Sequence, residues 1–84
     1  MNEIINYTAQ KIKELETRGE GFNSRLAQSY YGIYSKVLEI QAVGKGLDRV
    51  KEYLTDMIDP ENNEVGSRGY IAATDVLNRF FAVA

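Results

Sequence analysis

Apolar residues recur at spacings of three and four along almost the whole of this chain, and glycine interrupts the recurrence at three places. That period is the signature of one face of an α-helix, and the two-residue alternation of a half-buried strand is missing. Four helices are predicted, over residues 2–18, 24–43, 47–58 and 69–83, in a single domain spanning residues 1–84. The expected fold is an all-α bundle of three to four helices.

The first helix carries Ile5, Thr8, Ile12 and Leu15 on one stripe, widened by Met1 and Ile4, with Asn2 as N-cap and Gly19 as the left-handed C-terminal residue. Gly19, Glu20 and Gly21 form a turn, and Asn23 or Ser24 caps the second helix. The third places Leu47, Val50, Leu54, Met57 and Ile58 on one side with Tyr53 at its margin. Pro60 and the polar run after it stop this helix. The fourth stacks Tyr70, Ala73, Val76, Leu77, Phe80 and Phe81, an apolar end expected to be docked. Gly44 and Gly46 each cost about 1 kcal/mol inside a helix. Their closeness favours a break there over one continuous helix through residues 24–58.

A chain of 84 residues buries only about 60% of the surface it exposes when unfolded. Small domains then lean on disulfides, a metal or association. The sequence has no cysteine and no histidine, which removes disulfides, thiolate chemistry, and the commonest metal ligand and acid–base group. Association is left as the route to stability.

The second helix supports that reading. At about 100° per residue, Leu26, Tyr30, Ile33, Val37 and Ile40 form one apolar stripe, and Ala27, Tyr31, Tyr34, Leu38 and Ala42 form another beside it. Together they exceed the arc of about 100° or slightly more that a surface helix of a globular domain needs. The first stripe is expected to face the core. The second is expected to meet another chain, because tyrosine combines a large ring with a hydroxyl that tolerates a wet rim. The partners implied are a second copy of this chain, as a homodimer or higher oligomer, and another protein.

Ten basic and twelve acidic residues leave a charge too small to favour nucleic acid or anionic lipid. Residues 26–37 imitate a helix-turn-helix only loosely, since Gly32 falls one residue late and Val37 one early, and no basic face accompanies them. No stretch reaches the roughly 20 apolar residues of a membrane span, and no signal-peptide pattern opens the chain. A cytoplasmic location is expected.

Catalytic readings find no motif. Asp48, Glu52 and Asp56 line one helix face opposite its apolar stripe, which makes them a solvated face, or at most a docking strip for a basic partner. The acidic and amide-rich loop after Asp59 departs from a calcium loop, with Glu64 where the turn glycine belongs and Tyr70 where the closing carboxylate belongs. No metal site and no cofactor are expected. Gly66, Ser67, Arg68 and Gly69 precede the fourth helix and make a candidate anion site, with free amides at a helix N-terminus and a guanidinium beside them. Against this stands a plain cap by Ser67. Gly44, Lys45 and Gly46 offer a weaker version of the same arrangement.

The reading reached from sequence is a small non-enzymatic interaction or regulatory protein that blocks or adapts another macromolecule. By size alone it would suit a control protein of a phage or other mobile element. The alternatives are a binder of a nucleotide or other phosphorylated ligand, using the residue 66–69 turn and a stacking Tyr30 or Tyr31, and a structural subunit of a larger helical assembly.

Overall fold

The computed structural model describes residues 1–18 and 21–81, without the side chains at 21–24. Four helices follow one another: α1 (Asn2–Arg18), α2 (Gly21–Ala42), α3 (Leu47–Met57) and α4 (Arg68–Phe80). Among the described residues there is no strand. The expected turn and cap at Gly19 and Glu20 lie outside the described residues. Gly21 is the first residue of α2 and not a turn residue, so α2 starts three residues earlier than predicted and takes in Asn23 and Ser24. A glycine there raises the cost of helix without forbidding it.

The break between α2 and α3 falls where the paired glycines place it. Gly44 has φ +78°, a conformation that side chains with a Cβ rarely adopt. Its amide bonds to the carbonyl of Gln41, and the Lys45 amide bonds to that of Ile40, both at 3.0 Å. Those two bonds make a Schellman cap, which satisfies carbonyls that the end of α2 would otherwise leave open. α4 starts one residue before its predicted position and ends at Phe80, with Phe81 as C-cap.

The core is where α1, α2, α3 and α4 bring their apolar stripes together. α1 packs chiefly on α2, and α4 lies against both α2 and α3. Ile33, Val37, Val50, Leu54, Ala72, Ala73 and Val76 lose all contact with solvent, and Tyr30, Ile40 and Leu77 lose nearly all of it. Phe80 and Phe81 pack against this cluster, so the described part of the apolar C-terminus is docked.

Two stripes are rotated from their expected centres. In α1, Ile4, Thr8 and Leu15 are buried while Ile5 and Ile12 are only half-buried. Thr8 can take a core position because its hydroxyl donates to the Ile4 carbonyl at 2.8 Å, leaving no polar group unsatisfied. In α3, Leu47 is 46% exposed, at a surface depression that it lines with Met1, Ile4 and Phe80.

Candidate interaction surface

The first stripe of α2 faces inward as expected. The second is divided. Ala27 is 3% exposed and belongs to the core, so its assignment to an intermolecular face is corrected. The cause is α1, which runs antiparallel alongside: the Gln41 amide donates to Asn2 Oδ1 at 3.5 Å, and Glu16 shares a surface depression with Ala27 and Tyr31. Between those two points, Ala9 falls at the level of Tyr34. Tyr34 is half-buried and outside the residues packed on the core.

Tyr31, Leu38 and Ala42 stay in solvent, Tyr31 at 58% and Leu38 at 37% exposure. The rings of Tyr31 and Tyr34 stand 6.2 Å apart and tilted, next to each other on the outside. Val43, just past the end of the helix, is also exposed, at 64%. On the far side of α2, the Lys36 ammonium lies 5.8 Å from the Tyr53 ring of α3 and 3.6 Å from Glu39. The free arc of α2 therefore runs between α1 and α3, from Leu38 and Tyr31 across Ser35 and Gln28 to Gly32 and Glu39.

The turn ahead of α4 is closed by its own side chains. Ser67 is the N-cap, its hydroxyl accepting the Tyr70 amide at 3.2 Å. Gly66 takes φ +87°, and a Cβ on Gly69 would stand 3.3 Å from the Asn63 side-chain oxygen. These contacts explain both glycines by loop closure. Arg68 is the first residue of the helix and is half-buried. In the preceding loop the Asp59 carboxylate accepts the Glu61 amide at 3.0 Å, and the Asn62 side chain donates to the Asp56 carbonyl at 3.0 Å. The acidic and amide residues of this segment thus act as turn builders.

The structure also assembles a cluster that the sequence reading passed over. The hydroxyls of Tyr7 in α1 and Tyr30 in α2 both donate to one oxygen of Asp75 in α4, at 2.5 and 2.6 Å. The other Asp75 oxygen faces Arg79 at 3.9 Å, whose guanidinium lies 4.4 Å over the Tyr7 ring. Burial and the neighbouring carboxylate both push the two phenols above their ordinary ionisation range, because the carboxylate stabilises the O–H and repels a phenolate. Tyr30 is consequently unavailable as a stacking platform: its ring is in the core and its hydroxyl is engaged. One signal for this cluster was legible. A tyrosine on a core stripe requires a hydroxyl partner, and Asp75 is the one carboxylate in α4.

Comparison with protein-family models, with curated proteins and with solved structures finds no match to this chain. Among the described residues no helix is long and apolar enough to cross a membrane.

Proposed function

We propose that this chain is a small non-enzymatic interaction protein of the cytoplasm, which regulates, blocks or adapts another macromolecule through the outer face of α2. It also associates with itself. The observation that carries the reading is the exposure of Tyr31 and Leu38 on a helix whose neighbouring apolar stripe is packed in the core. Tyrosine, leucine and alanine grouped there, beside the uncharged Ser35 and Gln28, suit the apolar centre and polar rim of a contact surface. Apolar groups gathered on one face mark such surfaces more often than scattered ones do.

Paired substitutions on opposite sides of α2 test this. Leu38→Glu is expected to lower the sedimenting mass, and to lose whatever macromolecule co-purifies with the wild type, while helicity by circular dichroism is kept. Ile33→Glu is expected to unfold the domain, since it puts an unpaired charge at a position with no solvent contact, which costs several kcal/mol. If Leu38→Glu changes neither mass nor co-purification, the outer face is not the contact surface. Growth past a dimer with no other macromolecule recovered would favour a structural subunit.

A further inference from the structure

We propose that α2 pairs antiparallel with α2 of a second copy of this chain, across a two-fold axis beside Gly32, with Arg25 of each copy against Glu39 of the other. This rests on the reading of α2's outer face as a contact surface, and adds its occupant and register. Gly32 lies in the middle of α2, where glycine costs about 1 kcal/mol relative to alanine. Among the described residues nothing requires it: its backbone is helical, and a Cβ there would meet no described atom within 4 Å.

Seven residues make nearly two helical turns, so Arg25, Gly32 and Glu39 lie along one line on the helix, with Gln28, Ser35 and Ala42 along the next. All six are exposed. The outer face therefore has a small, uncharged middle, a cation at one end and an anion at the other. Laid antiparallel on itself about Gly32, it sets each Arg25 opposite a Glu39, about 10 Å from the axis, and the missing Cβ lets the two backbones approach. A parallel pairing would set like charges together, which is unfavourable.

Among the described residues Arg25 has no ion pair, and Glu39 meets only Lys36 while its side chain keeps 66% of its exposure. Tyr31 and Leu38 lie about 100–120° round the helix from Gly32 and meet the contact only at its margin. A helix of 22 residues is about 33 Å long and about 11 Å across, so a strip along its outer side covers roughly 360 Å². That is less than half of the approximately 800 Å² per partner of a standard interface. The pairing is accordingly expected to be reversible.

Sedimentation velocity and native mass spectrometry of the full chain, from about 1 to 100 μM, read the result. The wild type is expected to form a dimer within that range. Arg25→Glu and Glu39→Arg are each expected to weaken it about tenfold or more, because each sets like charges opposite one another. An equimolar mixture of the two variants is expected to recover wild-type affinity as a heterodimer, which also shows that both variants fold. A wild type that stays single at the top of the range overturns the pairing, as does a mixture no tighter than either variant alone. If the wild type dimerises and Leu38→Glu dissociates it while the charge variants do nothing, the outer face stands and the antiparallel register is wrong.

Discussion

Asp75 accepts hydrogen bonds from two tyrosines on two other helices, and only half of that arrangement could be anticipated from residue types. A buried hydroxyl without a partner loses about 1–3 kcal/mol, so Tyr30 on a core stripe implied an acceptor somewhere. Nothing in sequence spacing relates Tyr7 or Tyr30 to a residue 68 or 45 positions away. The roles differ in energy. Tyr30→Phe removes one donor while leaving Asp75 with Tyr7 and Arg79, and is expected to cost about 1–2 kcal/mol. Asp75→Ala leaves two phenols short of an acceptor and is expected to cost about 2–4 kcal/mol. Urea unfolding of the two variants checks the order, and an Asp75→Ala variant as stable as Tyr30→Phe would show that the shared carboxylate does not tie the helices together.

At the scale of elements, two glycines of the same chain are explained by opposite causes. Gly44 stands at φ +78° in the cap that ends α2, where an L side chain costs about 1–2 kcal/mol. Gly32 is helical with open space around its missing Cβ, so alanine there is expected to stabilise the isolated chain by up to about 1 kcal/mol. Gly44→Ala and Gly32→Ala should thus shift the thermal midpoint in opposite directions when measured at concentrations too low for association. Shifts of the same sign would contradict one of the two backbone readings. The contrast also explains why helix boundaries were unevenly legible. Two glycines close together announced the break before α3, whereas Gly21 is helical at a position where glycine's low propensity pointed to a turn.

Over the whole molecule, Tyr7, Tyr30 and Tyr53 connect α1, α2 and α3 to the packed interior, and all three resist ionisation, Tyr53 through burial alone. Their folded ionisation constants lie above the ordinary value of 10.0. The unfolded chain therefore gives up phenolic protons first as the solution becomes alkaline. Stability from these groups is complete below about pH 10 and falls as pH rises beyond it towards the folded values. Urea midpoints should stay level up to about pH 9.5 and then drop, with a shallower drop in Tyr30→Phe. An unchanged slope in that variant would mean that Tyr30 ionises as freely in the folded chain as in the unfolded one.

The sequence by itself determined the four helices, the core stripe of α2 and the break at Gly44, because period, propensity and caps act within a few residues of each other. It also identified α2 as carrying more apolar surface than a surface helix of a globular domain needs. Which part of that surface remains open was decided by tertiary structure: α1 runs along one flank and buries Ala27, and α3 borders the other near Lys36. Tyr31 and Leu38 are left between them. The placement of helices around α2 depends on how whole faces fit together, and no local pattern encodes that fit.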